Sequence, residues 1–317
     1  MLKIEVAFPD KILTNSDLGL ELNERTKKLG GKLGILERRV CAEDETAIDL
    51  AVKACEKLFK KINKDEVDFI IYCTQSPEYF LPTTACVLQD RLGLNKTVGA
   101  FDYNLGCSGY IYGLAMAKSF IQSGIAKNIL LVTAEAYSKF IHEDDKSNRA
   151  IFGDAATATL MDSDLANRLG EFELGSDGSG ADNLIVKGGA GKANFESSSS
   201  RESMFYMNGP EVFKFTLDNV PLSVEACLKK NNQTLNDIDY MILHQANAYM
   251  LKNLRRKIGI EKEKFHSDVE KTGNTVSNTI PIAIYNAQNK GLIKSGDCLL
   301  LSGFGVGYSW GATIINL

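Results

Sequence analysis

An α/β fold made of two similar halves is what this sequence predicts, and three observations predict it. Residues 68–74, 128–133 and 238–243 form apolar runs of strand length, hydrophobic along most of their extent, as strands covered on both faces are. Between them lie segments with helically spaced apolar residues, such as Ile48, Ala51, Val52, Cys55 and Leu58. The third observation is an internal echo. Ala54-Cys55 followed by Val67-Asp68-Phe69-Ile70-Ile71-Tyr72-Cys73-Thr74-Gln75 matches Ala226-Cys227 followed by Ile238-Asp239-Tyr240-Met241-Ile242-Leu243-His244-Gln245. A second echo sets residues 128–134 beside residues 297–303. A duplicated unit of this kind alternates buried sheets with helical layers. The 317 residues leave room for two units of ordinary size. Residues 162–167 divide them into halves 1–165 and 166–317.

The chain begins with a short strand at residues 2–6 and a turn around Thr14-Asn15-Ser16. A polar helix over residues 17–32 ends at Gly30-Gly31 and Gly34. Residues 46–61 read as an amphipathic helix. A further helix over 83–92 follows Pro82. Residues 101–124 read as strand, turn and helix. Residues 175–201 are rich in Gly and Ser and read as a loop. They lack the strand–GxGxxG–helix context of a phosphate cradle. Pro210 opens a helix whose apolar face carries Phe213, Leu217 and Val220. His244-Gln245-Ala246-Asn247 ends a buried strand and leads into a helix to residue 258. Residues 271–281 form a polar loop entering a helix. The final stretch from Leu299 to Ala312 reads as strand, glycine-rich turn and strand.

Composition narrows the function. At 44% hydrophobic and 24% charged, the chain is an ordinary globular protein. A net charge of −4 gives no reason to expect nucleic acid. No apolar run is long enough to span a bilayer, and the first residues lack a signal-peptide pattern. Seven scattered cysteines with no C-x-x-C suit reduced thiols in a cytoplasm and argue against a disulfide framework or a metal site.

Four places carry chemistry. Cys107, in Leu-Gly-Cys-Ser-Gly, sits at a predicted strand-to-helix turn. Unpaired N–H groups and the helix dipole favour a thiolate there, and a thiolate is the nucleophile. His244 stands at the C-terminal end of a buried strand, where open α/β sheets place their sites. Taken alone, a histidine there is as well explained by a bond to a backbone carbonyl. Asn274 follows a glycine and reads either as a left-handed turn residue or as an amide donor. The run Gly303-Phe-Gly-Val-Gly307 is either a tight turn or a means of aiming a backbone N–H at a developing oxyanion.

In order and together, these segments resemble β-ketoacyl-acyl-carrier-protein synthase III, of the thiolase superfamily. The resemblance covers essentially the whole chain. Its markers are Cys107 in Leu-Gly-Cys-Ser-Gly, His244 in His-Gln-Ala-Asn, Asn274 in Gly-Asn-Thr, and the Gly-Phe-Gly-x-Gly…Trp-Gly ending. Ile151-Phe-Gly-Asp154 and Asn208-Gly-Pro-Glu-Val-Phe-Lys214 also match family segments. The resemblance implies a thiolase-like fold with αβαβα layers and a homodimer. Cys107 would take an acyl group from a thioester. The backbone N–H groups of Cys107 and Val306 would receive the oxyanion. His244 and Asn274 would donate hydrogen bonds to a malonyl thioester as it decarboxylates. Asn247 would lie along the phosphopantetheine arm, with Phe304 beside the substrate. Leu81 would line the acyl pocket across the dimer interface. Lys214, Arg256 and Lys257 would dock an acidic acyl carrier protein. No metal or redox cofactor is implied.

The chain departs from the family pattern in two places. A tryptophan common in acetyl-CoA-using members is missing from residues 24–32, where Lys28 stands near its place, and Arg149 is the other candidate nucleotide contact. The departure counts against acetyl-CoA as primer and admits an acyl group delivered on a carrier protein or another thioester, so acyl-CoA and acyl-ACP both stand as expected substrates. Val306 replaces a usual glycine; its N–H survives, and its side chain alters the pocket. A thiolase would need a second cysteine within Gly303–Gly307. A hydroxymethylglutaryl-CoA synthase would need a glutamate near Gln75. The expectation is that neither stands there. An acyltransferase acting on an amine or hydroxyl in glycan or natural-product tailoring is the alternative enzyme. A non-catalytic partner that only binds acyl carriers is the alternative of another class.

Overall fold

The computed structural model describes residues 1–20, 31–188 and 204–317. The first sheet contains β1 (Ile4–Ala7), β2 (Phe69–Cys73), β3 (Gly99–Tyr103), β4 (Ile129–Glu135) and β5 (Ala155–Met161), in the order β1-β5-β4-β2-β3. The second contains β6 (Glu173–Ser176), β7 (Tyr240–Leu243), β8 (Cys298–Gly305) and β9 (Ser309–Asn316), in the order β7-β8-β9-β6. Helices α1 (Ala47–Phe59), α2 (Thr84–Arg91), α3 (Gly109–Gln122), α4 (Gly209–Lys230), α5 (Ala248–Ile258) and α6 (Thr279–Asn289) complete the frame.

The apolar clusters define five layers. Between the sheets, Tyr110, Ile111 and Leu114 of α3 and Ile280, Ala283 and Ile284 of α6 meet Ile71 and Leu131 from one sheet and Ile242 and Leu301 from the other. On the outer face of the first sheet, Ile48, Ala51 and Leu58 of α1 and Leu88 of α2 cover Ile70, Tyr72 and Val132. On the outer face of the second, Val220 and Val224 of α4 and Leu251 and Leu254 of α5 cover Met241, Leu243 and Leu300. Both sheets are therefore covered on both faces, which explains why their strands are apolar without alternation. The layering is the expected αβαβα arrangement.

The internal echo has a physical basis. In each sheet an aspartate precedes one strand and ties it to its parallel neighbour. Asp68 donates its N–H to Asn128 O at 3.1 Å, and its carboxylate accepts the Asn128 N–H at 3.1 Å. Asp239 donates to Cys298 O at 2.9 Å and accepts the Cys298 N–H at 2.8 Å. The strand registers, Phe69 opposite Ile129 and Tyr240 opposite Leu299, make Asn128 the counterpart of Cys298. The second echo is therefore offset by one residue from the expected pairing of 128 with 297.

Other expectations shift more. Residues 155–161 form a fully buried strand that the sequence does not announce; it is built of Ala and Thr, which give little hydrophobic signal. Residues 175–201 are not simply loop. Within the described part, Leu184–Val186 pairs with Phe205–Met207, because Leu184 and Phe205 bury their side chains. The segment 162–167 lies in a short helix, Ser163–Arg168, whose first turn Asp162 caps by accepting the Leu165 N–H at 2.9 Å. Pro210 is the second residue of α4, after Gly209. The helix expected over residues 17–32, with Lys28, falls mostly outside the described residues. No helix among the described residues is long and apolar enough to cross a membrane.

Candidate active site

Cys107 follows β3 and stands two residues before the start of α3. The end of β8 packs directly on it. A side chain at Gly303 would meet Cys107 O at 2.7 Å, and one at Gly305 would lie 3.1 Å from Cys107 Sγ. Only glycine leaves room for that approach. A Ser108–Ser309 hydroxyl contact of 2.7 Å fastens the turn that carries Cys107 to β9. The step from β8 into the turn therefore carries Val306 past the sulfur. Val306 also fills the space over Gly106, where an added methyl would lie 2.7 Å from its Cγ1.

His244 extends β7 by one residue, and its N–H donates to Ser302 O of β8 at 2.8 Å. Phe304 stands edge-on to its ring, with centroids 5.3 Å apart and planes at 82°. Asn274 is held from the other half. Its N–H donates to Ile151 O at 2.8 Å, and its carbonyl accepts the Gly153 N–H at 3.0 Å. The left-handed residue of this turn is Gly273, at φ +63°, and not Asn274. Val276 is also left-handed, at φ +57°. For a buried β-branched residue that conformation costs about 1–3 kcal/mol. It lets Val276 N–H donate to Asn274 Oδ1 at 2.9 Å. The Asn274 NH2 group is thereby turned toward His244 Nε2, 3.5 Å away.

Cys107, His244 and Asn274 line one cavity of about 170 Å³, together with Phe304, Val306 and Asn247. Asn247 caps α5 by accepting the Met250 N–H at 2.9 Å, so its NH2 group is the part left for a ligand. A second cavity of about 960 Å³ has mostly apolar walls and is lined by Leu81, Phe140, Ile185 and Phe205. The two cavities share Tyr137, Leu184 and Val306. Leu81 thus lies away from the Cys107 cavity of its own chain, on a loop where it is 83% exposed. Arg149 donates to Glu143 O at 2.6 Å and lines neither of these cavities. Lys214, Arg256 and Lys257 are exposed on α4 and α5. Lys257 lies 3.6 Å from Asp218.

The electrostatics correct one expectation. Burial pushes the Cys107 thiol up, not down, and the nearby Glu135 adds to the effect. The resting group is a thiol, because the sulfur is desolvated inside an apolar wall. Burial also lowers His244, to about 3, so its imidazole is neutral at working pH.

Two glutamates correct a second expectation, that none stands near Gln75: Glu78, three residues on, lines the larger cavity with it, and Glu135 reaches it through the fold. Its carboxylate accepts the Gln75 N–H at 3.1 and 3.2 Å and hydroxyl groups from Ser76 and Ser277 at 3.0 and 3.1 Å. It lines neither cavity, so it serves as a strut between loops. Its sequence signal was a lone acid ending a wholly buried strand. Burial raises Glu135 to about 8. The folded protein therefore binds this proton more tightly than the unfolded chain. The stability it contributes is complete below pH 4.5 and is lost as pH rises toward 8. His244 acts in the opposite sense, its contribution being lost as pH falls from 6.5 toward 3. Each pKa unit is worth about 1.4 kcal/mol. Glu135→Gln, which cannot ionise, is expected to gain stability relative to the parent by a few kcal/mol between pH 4.5 and 8. Urea midpoints measured across that range check the slope.

Residues 101–178 match the family model described as 3-oxoacyl-[acyl-carrier-protein (ACP)] synthase III, and residues 228–317 match its C-terminal model. A β-ketoacyl-[acyl-carrier-protein] synthase III of Fusobacterium nucleatum is 35% identical over 97% of this chain and 95% of the relative. One from Clostridium perfringens is 37% identical over 98% and 96%. A crystal structure of a 3-oxoacyl-(acyl-carrier-protein) synthase III superposes with a TM-score of 0.94 at 44% identity, covering 99% of this chain and 98% of that one. The Thermus thermophilus enzyme gives 0.89 at 34% identity, covering 99% and 98%.

Proposed function

The chain belongs to the β-ketoacyl-acyl-carrier-protein synthase III family and is a condensing, acyl-transferring enzyme; on that premise we propose how its own residues divide the reaction. Cys107 Sγ attacks an acyl thioester. The carbon–sulfur bond to the carrier breaks, and the thiol proton leaves with the departing thiol. The N–H groups of Cys107 and Val306 receive the oxyanion. A malonyl thioester then enters, and its oxygen accepts hydrogen bonds from His244 Nε2 and Asn274 Nδ2. Carbon dioxide departs, the enolate carbon attacks the acyl-cysteine, and a proton from water restores the thiol. Neutral imidazole and carboxamide are both N–H donors, so this chemistry calls for no metal or redox cofactor.

The finer assignments follow the same reading. Residues 1–165 supply the nucleophile and residues 166–317 the two donors. Asn247 and Phe304 contact the pantetheine arm and the reacting groups. The acyl tail runs past Tyr137, Leu184 and Val306 into the larger cavity. A second copy of the chain covers the exposed Tyr79 and Leu81, giving a homodimer. Lys214, Arg256 and Lys257 steer an acyl carrier protein, and the enzyme works in the cytoplasm. The primer arrives as a thioester of CoA or of an acyl carrier protein.

The observation that supports this reading best is that sulfur, imidazole and carboxamide line a single cavity. Incubation with a malonyl carrier and a panel of acyl thioesters tests it. Carbon dioxide release with a carbon–carbon-bonded 3-oxoacyl product is the expected result. Acyl transfer to an amine or hydroxyl without decarboxylation would replace it with the tailoring activity. No adduct on Cys107 would leave only carrier binding.

A further inference from the structure

We propose that Thr279 is a positioning residue whose hydroxyl donates to His244 Nδ1 and so holds the imidazole in the tautomer with its proton on Nε2. The inference rests on the donor roles given above to His244 and Asn274. Thr279 is the first residue of α6, and its Oγ1 lies 2.7 Å from His244 Nδ1. Both groups are buried. One proton lies between them, and its owner decides what Nε2 can do.

Two observations place it on the threonine. The first is the rival acceptor, Val276 O, 3.1 Å from the same hydroxyl. That carbonyl also accepts the backbone N–H of Thr279, and at 3.1 Å it lies farther from the hydroxyl than Nδ1 at 2.7 Å, so the shorter contact takes the proton. The second is the far side of the ring. Val276 N–H occupies Asn274 Oδ1, so the end of the amide facing His244 is NH2, a donor only. Were Nε2 a bare lone pair, that donor would close on it to ordinary hydrogen-bond length. The separation is 3.5 Å, outside the usual range of about 2.7–3.2 Å and suited to two N–H groups that converge on one substrate oxygen. Val276 thus holds the donor on the far side of the ring in place with its N–H.

The arrangement gives Thr279 a role that its methyl packing does not require. Thr279→Val keeps the shape and removes the hydroxyl; Thr279→Ser keeps the hydroxyl. The expected result is that Thr279→Val lowers kcat for malonyl decarboxylation about tenfold, the worth of one ordinary hydrogen bond, and slows acylation of Cys107 by much less. Thr279→Ser restores condensation to within about twofold of the parent. Nitrogen NMR of protein labelled in its three histidines should find the parent His244 protonated on Nε2 and accepting a hydrogen bond at Nδ1. A parent spectrum with the proton on Nδ1 would overturn the proposal, as would equal kcat values for the valine and serine variants. The tautomer is read without turnover, so it stands or falls separately from the donor reading, which substitution of His244 itself tests.

Discussion

Replacing Cys107 with alanine is expected to abolish the covalent acyl adduct and to lower 3-oxoacyl formation by at least about 10³-fold. No other cysteine lines either cavity, so none is placed to substitute. Intact-mass measurement after exposure to acyl thioesters checks the adduct, and product analysis checks the rate. A variant that still gains the acyl mass would place the nucleophile elsewhere. The parent carries a companion expectation. Burial holds the Cys107 thiol above its usual value of 9.0, so the thiolate fraction keeps growing with pH. The acylation rate should climb through neutrality without a plateau below pH 9.0. An early plateau would mean that the helix end stabilises the thiolate despite the apolar wall.

His244→Ala and Asn274→Ala are each expected to lower condensation by about 10²–10³, the value of one donor aimed at a developing negative charge. Acylation of Cys107 should survive in both, because neither side chain takes part in that half-reaction. The double variant should cost less than the product of the two losses, since both donors serve one oxygen. Single-turnover kinetics that follow acyl-enzyme formation and carbon dioxide release separately give the comparison. Equal loss in both half-reactions would show that the two residues support the nucleophile instead.

Much of this was legible in the residues. Strands buried on both faces give continuous apolar runs, and Ile70-Ile71 and Leu299-Leu300-Leu301 could be read as such. Cys107, His244 and Asn274 stood in short, distinctive surroundings. The strand Ala155–Met161 was not legible, because alanine and threonine pack it through small volume and hydroxyl pairing, as between Thr133 and Thr157 at 2.7 Å. The protonation state of Cys107 was not legible either. Local sequence offers only the helix start, whereas the wall that desolvates the sulfur comes from Gly303 and Gly305, nearly two hundred residues on. The one-residue offset in the second echo also needed hydrogen bonds, because two apolar runs align equally well in either register. Glu135 is a neighbour of Gln75 only through the pairing of β2 with β4.

The sulfur is delivered by one sheet and the imidazole by the other, with α3 and α6 wedged between them. On the proposed division of roles the reaction takes place at a seam, and its geometry measures how the two sheets are docked. A small slip in that docking would leave each sheet's own hydrogen bonds intact and hardly alter a melting curve, yet it would separate attacking group from donors by a fraction of an ångström. Substitutions in the middle layer, far from any substrate, should consequently silence the enzyme before they unfold it.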